Sequence, residues 1–254
     1  MYRTVPPVLD RVSRTIPLRL TRVVRREIAE GTCATDDPVL YRYYADLAAL
    51  HGIHYRHDVL AAGAGNTFAA LADVALAGLV SPVHPVDLVI IAHTLPDLDP
   101  RVSAGVRLTR TLPGSPLVFA ISGPDASIGF TALRVAGDYA RRHSYQRVMV
   151  LVLDQTVLPY QAAAEPGGDA AVALLLEDAP GGELTLGRVR GVSPEEVAGT
   201  VAKLALGARI VQAPVSDSAP GTGVWAGLRL GADSVLVDYD RARGELHYCA
   251  VRES

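Results

Sequence analysis

Lysine is almost missing from this chain. Lys203 stands alone among 254 residues, and arginine carries nearly all of the positive charge. The formal net charge is −3, which provides no field for holding a nucleic acid. Cysteine is equally scarce: Cys33 and Cys249 stand far apart, without metal spacing, so neither a disulfide framework nor a cysteine-based metal site is expected. Long apolar runs are missing too. None approaches the roughly 20 residues that span a bilayer. Arginines interrupt every apolar stretch of residues 1–30, so no secretory leader is expected there. The expectation is a cytoplasmic chain in a reducing compartment, with no nucleic acid and no membrane as partner.

What is present is a core-forming composition. Apolar residues make up 49 % and charged residues 20 %, which excludes a disordered chain. No linker, low-complexity tract or internal repeat stands out, so residues 1–254 read as one domain, with 1–180 as an N-terminal half and 181–254 as a smaller C-terminal one. The N-terminal stretch is locally basic (Arg11, Arg14, Arg19, Arg22, Arg25, Arg26). It reads as a solvated face, with a docking patch for an acidic carrier protein or partner chain as the alternative.

Periodicity places the elements. Residues 38–50 have helical spacing after a capping candidate at Asp36 or Asp37, and residues 66–79 form a helical stripe with Asn66 able to cap. Residues 86–92 (VDLVIIA) and 147–153 (RVMVLVL) are near-continuous apolar runs, the mark of strands covered on both faces. Residues 117–121 are a shorter such run, 127–141 a helix rich in small residues, and 170–176 and 183–192 further strands. Residues 194–206 read as a helix with Pro194 in its first turn, 212–223 as a loop, and 234–239 with 245–251 as two closing strands. Residues 21–30 suit strand or helix equally. The result is an α/β sheet covered on both faces.

Some chemistry-bearing clusters are weak. His51, His54, His57 and Asp58 have spacing that could hold zinc on a helix, but the neighbouring Gly52 suits a loop better. Gly63-Ala-Gly65 and Gly221-Thr-Gly223 lack the lysine of a phosphate loop and the rest of a dinucleotide fingerprint.

Three segments in order are more telling. Gly52-Ile53 with Arg56 precedes the Asn66 helix, Val86-Asp87-Leu-Val-Ile-Ile-Ala-His93-Thr94 and Pro96-Asp97. Val118-Phe-Ala-Ile121 leads through a turn to Gly129-Phe130-Thr-Ala-Leu133-Arg-Val-Ala136 and Arg147-Val-Met-Val-Leu-Val-Leu-Asp154. Gly168-Asp169 then opens Ala-Ala-Val-Ala-Leu-Leu-Leu-Glu177. Together they resemble the ketosynthase III branch of the thiolase superfamily over residues 50–190, and more loosely over 231–254. The resemblance implies a layered αβαβα fold. It also implies a dimer, formed through the strand at 117–121 with a second copy or a related thiolase-fold chain, and dealings with an acyl carrier protein.

The same resemblance exposes losses. Condensing members carry a cysteine at the start of the central helix, where backbone N–H groups and the helix dipole activate it. Here the turn reads Ser122-Gly-Pro-Asp125-Ala126-Ser127-Ile-Gly129-Phe130. Ungapped alignment on Ala132-Leu133 and Ala136 puts Ala126 at the nucleophile position; alignment on Gly129-Phe130 puts Ser127 there. A gap would rotate the buried face by about 100°, which favours the first. Ser127 is either a nucleophile or, like Asp125, a helix cap. An ionised Asp125 would oppose an oxyanion. The resemblance also implies a His and Asn pair in the C-terminal half, yet no histidine or asparagine lies between Val192 and Ser234. His247 is expected to be structural. His93, ending the 86–92 strand, is the remaining candidate base for Ser127. These losses imply a truncated C-terminal half and a non-condensing ketosynthase-like subunit of fatty-acid or polyketide-type metabolism. The alternative is a Ser127-dependent acyltransferase. No cofactor or metal is implied; a coenzyme A- or phosphopantetheine-linked acyl group is the possible substrate.

Overall fold

A computed structural model describes residues 11–28, 31, 37–58, 65–77, 79, 84–123, 127–157, 168–212 and 221–253. Its backbone is one mixed sheet of nine strands in the order β3-β2-β4-β5-β1-β6-β9-β8-β7. The strands are β1 (Arg11–Ile28), β2 (Leu88–His93), β3 (Leu117–Ser122), β4 (Arg147–Asp154), β5 (Asp169–Glu177), β6 (Gly182–Arg190), β7 (Arg209–Gln212), β8 (Ser234–Asp240) and β9 (Glu245–Arg252). The α-helices that lie wholly within the described residues are α1 (Pro38–Leu50), α2 (Phe68–Leu76), α3 (Ala104–Thr111), α4 (Ile128–His143) and α5 (Val197–Ala205).

The strand order contains a repeat that the residues do not advertise. β2 runs parallel to β4, β4 pairs antiparallel with β5, and β5 with β1. In the second half β7 runs parallel to β8, β8 pairs antiparallel with β9, and β9 with β6. The halves meet where β1 pairs antiparallel with β6. α2 precedes β2 as α5 precedes β7. Among the described residues, β3 and α4 have no counterparts in the second half. In their place, between β7 and β8, comes a short 3-10 turn, Trp225–Gly227.

Burial explains the apolar runs. Along β4, Val148, Val150 and Val152 face one core, and Met149, Leu151 and Leu153 face another. Strand residues point alternately to opposite faces, so a strand covered on both sides must be apolar throughout. α2 and α3 cover one face of the first half. α4 covers the other and also reaches the second half, since its core holds Leu184, Leu186, Leu236, Cys249 and Val251. α5 closes the far face against Val235, Val237, Leu246 and Tyr248. The two halves of the one sheet therefore lie on either side of α4, and the layers run helix, half-sheet, helix, half-sheet, helix, the αβαβα arrangement that the resemblance implies.

Several local expectations are refined. Residues 21–30 resolve as strand through Ile28, because β1 is flanked by β5 and β6 and its backbone groups go to the ladders. The β1 register with β6 shifts between Thr15 and Arg19, an interval holding Pro17, which has no N–H to donate. Helix α2 starts at Phe68 rather than Asn66, with Thr67 as its cap, because the Asn66 amide is bonded to Asp169 instead. Asp37, one of the two candidates, does cap α1 through Val39 N at 2.8 Å. Helix α3 and strand β7 carried no clear pattern in the sequence.

α4 approaches its neighbours closely. A Cβ on Gly129 would lie 2.4 Å from Nε1 of Trp225, whose ring packs 4.9 Å from that of Phe130. Trp225 is fully buried and plugs the space beside the first turn of α4. Trp225→Ala is therefore expected to lower stability by about 3–5 kcal/mol, read as a fall in the urea midpoint at unchanged slope. A loss below about 1 kcal/mol would show that this plug is not part of the core.

Candidate active site

The start of α4 opens onto a cavity of about 250 Å³. Ser127, Thr131 and Arg134 descend one face of the helix toward it, at spacings that put side chains on a common stripe. Arg188 comes from β6, and Arg243, Glu245 and His247 come from the β8–β9 hairpin. A second cavity of about 270 Å³, between α4 and β1, shares Thr131, Arg134, Arg188 and His247 with the first, so the two form a continuous cleft.

Ser127 is 5 % exposed and occupies the capping position of α4, but its side chain makes no capping hydrogen bond. The simple capping role expected for it is therefore not observed. Its carbonyl accepts from Thr131 N at 3.0 Å. Asp125 and Ala126, the other candidates in this turn, lie outside the described residues, as do Cys33 and Gly63-Ala64.

His93, the expected base, does not line Ser127's cavity. Its Nδ1 donates to Leu95 O at 2.7 Å, and its ring packs 4.8 Å from Phe68. Burial holds its pKa below the usual histidine range. The histidine that shares a cavity with Ser127 is His247, for which the sequence suggested only a structural role. The β9 alternation puts Leu246 and Tyr248 toward α5, and Cys249 and Val251 toward α4. His247 is on the α4 side, its ring 6.2 Å from Phe130 and its Nε2 3.6 Å from Glu245 Oε2. His51, His54, His57 and Asp58 do not share one helix, because residues 51–56 are turn and irregular backbone; the His57 ring packs 4.6 Å from that of Tyr41.

The hairpin that delivers these groups is tightly built. Asp240 Oδ1 accepts from Ala242 N at 2.9 Å and Arg243 N at 3.1 Å, while Gly244, at φ 60°, accepts from Val192 N through its carbonyl at 3.0 Å. Glu245 lies 3.0 Å from Arg190 and 3.5 Å from Arg188.

Two aspartates of the family-like segments act as fasteners. Asp154, at the end of β4, is buried and accepts from Gly221 N, Thr222 N (2.7 Å) and the Thr222 hydroxyl (2.8 Å). Burial raises its pKa, and these bonds oppose the rise. A Cβ on Gly221 would lie 2.8 Å from Asp154 Oδ1, so this glycine, first weighed as part of a nucleotide loop, serves close approach instead. Asp169, opening β5, accepts from Asn66 Nδ2 and from both the N–H and hydroxyl of Thr156, all at 2.7 Å. Cys249 is buried, and burial pushes its thiol up to about 12, out of the range of a thiolate nucleophile.

No protein-family model matches the sequence, and no curated protein matches it. Solved structures do. The tetronic acid condensing enzyme AbyA1 superposes with a TM-score of 0.59 at 15 % identity, over 92 % of this chain and 99 % of that one. ChlB3, an acyltransferase, gives 0.56 at 13 %, over 93 % and 97 %. A 3-oxoacyl-(acyl-carrier protein) synthase from Burkholderia xenovorans gives 0.54 at 12 %, over 96 % of both. The fold is the thiolase-like fold of ketosynthase III structures. Because the alignments reach across nearly all of those chains, the expectation of a truncated C-terminal half is not supported. The halves differ instead in what stands between β2 and β4 in the first and between β7 and β8 in the second.

One titration follows from the loop after β2, away from the cavity. Asp97 accepts from Phe68 N at 2.8 Å, and burial raises its carboxyl to about 6. Between pH 4 and 6 the folded chain thus keeps a proton that the unfolded chain has released, so stability falls as pH rises through this window. Allowing for partial exposure, the expected fall is about 1–2 kcal/mol. Asp97→Asn should flatten it in urea titrations across that range; an unchanged slope would assign the pH dependence elsewhere.

Proposed function

We propose that this chain is a non-condensing ketosynthase-like subunit of fatty-acid or polyketide-type metabolism, working beside an active thiolase-fold partner. One observation carries the reading. The start of α4, where the resemblance implies an activated cysteine, bears Ser127 facing a cavity lined by Arg134, Arg188 and Arg243. The described cysteine, Cys249, is buried in β9 with its thiol pushed up to about 12. A Claisen condensation needs a thiolate to hold the acyl group and donors to stabilise the enolate. Neither a cysteine nor the implied His and Asn pair is available in the sequence at the expected places. Purified chain given acyl and malonyl thioesters is expected to form no β-keto product; a product lost on mutating this cavity would overturn the proposal.

The partner reading draws on β3. This strand pairs with β2 alone and ends the sheet, with Leu117 45 % exposed and Val118, Phe119 and Ile121 half-buried. An edge that short and apolar gains by pairing across a two-fold or pseudo-two-fold axis. Sedimentation at micromolar concentration should show a dimer, either of this chain or with a co-expressed thiolase-fold chain. A strict monomer in both cases would count against it.

A second reading has its own support. Ser127, His247 and Glu245 share one cavity, giving a hydroxyl, an imidazole and a carboxylate for acyl transfer from a coenzyme A or carrier-protein thioester. Intact-mass spectrometry after incubation with acyl thioesters decides this case. An adduct abolished by Ser127→Ala supports the acyltransferase; no adduct with any thioester leaves the silent subunit.

A further inference from the structure

The charge of the cavity at the start of α4 is out of keeping with an acyl chamber. Among the described residues three guanidiniums line it, against the one carboxylate of Glu245, and of the three Arg243 is also paired with Asp240 of its own turn at 3.3 Å. Glu245 is engaged from outside the cavity by Arg190 at 3.0 Å, and its contact to Arg188 is longer, 3.5 Å. Arg134 makes no ion pair or hydrogen bond with any described residue; the acidic side chain one turn further along α4, Asp138, is taken by Arg14 and Arg141. An apolar acyl chain placed here would strip water from charges without replacing it, which is costly. An anion would meet forked donors that match its oxygens. The hydroxyls of Ser127 and Thr131 lie on the same wall.

We propose that this cavity is a receptor for a small organic dianion, held by Arg134, Arg188 and Arg243, with its uncharged remainder lying in the adjoining groove between α4 and β1. That groove offers Ile16, Phe130 and Leu186 as its apolar lining. The hairpin geometry supports a built site: Asp240 and Gly244 fix the backbone on either side of Arg243, and Asp240 Oδ2, 3.3 Å from Nη1, holds one side of its guanidinium fork at the cavity wall. The anionic group is a phosphate ester or a dicarboxylate; both present paired oxygens to guanidinium. The inference rests on the non-condensing reading of this cavity. The two fail differently: a β-keto product sinks that reading, whereas lack of anion binding sinks only this one.

The test uses the purified chain with inorganic phosphate and succinate as probes, each compared with chloride at equal ionic strength. Thermal melting and titration calorimetry report binding. Phosphate, succinate or both should raise the melting temperature above the chloride control, and the more effective one identifies the anionic group. Arg134→Gln removes an exposed guanidinium that no described residue engages and leaves the core alone; it should weaken binding about tenfold or more, the loss of one charge-assisted contact. Arg142→Gln, on the same helix but outside the cavity, should bind as the parent does. If neither anion exceeds chloride, or if Arg134→Gln binds as tightly as the parent, the proposal is wrong.

Discussion

The architecture depends on how closely the central helix can lie between the two half-sheets. α4 buries Gly129, Ala132, Ala136, Gly137 and Ala140 together with the larger Phe130 and Leu133. The small residues are there for distance. A Cβ on Gly137 would sit 3.3 Å from Ile16 on β1, and one on Gly129 would run into Trp225. With larger residues the helix would have to lift, and the core that it shares with β2, β4, β6 and β9 would open. Interiors are packed near crystal density, so such a shift cannot be absorbed locally.

From this one placement the rest of the site follows. Since α4 serves both halves, its first turn stands where the closing hairpin of the second half arrives. Ser127 from one half therefore meets Arg188, Arg243, Glu245 and His247 from the other. The halves are related in strand order but not in what fills the middle layer. Trp225 covers the beginning of α4, and further along the helix the cleft toward Val12 and Arg14 stays open. The shape suits a binding chamber. Its lining of guanidiniums is what the proposed anion site draws on, because function depends on the groups at a site and not on the fold that carries them.

The aspartates of the family-like segments hold this arrangement in place. Asp154 and Asp169 stand at neighbouring strand ends, each meeting several donors from loops distant in sequence. Buried carboxylates are costly unless each oxygen is answered, and here they are. Their place in the sequence marks the frame of the site rather than its reacting groups.

The sequence by itself determined the covalent order of buried strands and helices. A strand covered on both faces must be apolar throughout, as 147–153 is, and a helix wedged between sheets must be rich in small residues, as 127–141 is. It also determined the absence of a cysteine at the central helix. Those signals are local, so they can be read along the chain. Helix α3 and strand β7 were not legible, being short and half exposed, and β1 was ambiguous because its apolar face alternates with arginines. Only the tertiary structure decided that His247 rather than His93 shares a cavity with Ser127, and that Arg134, Arg188 and Arg243 converge. These residues lie on different elements, brought together by the β1–β6 junction and the return of β9 beside β6. Such long-range pairing leaves no periodic trace in the sequence, because each contact is set by the register of strands far apart along the chain.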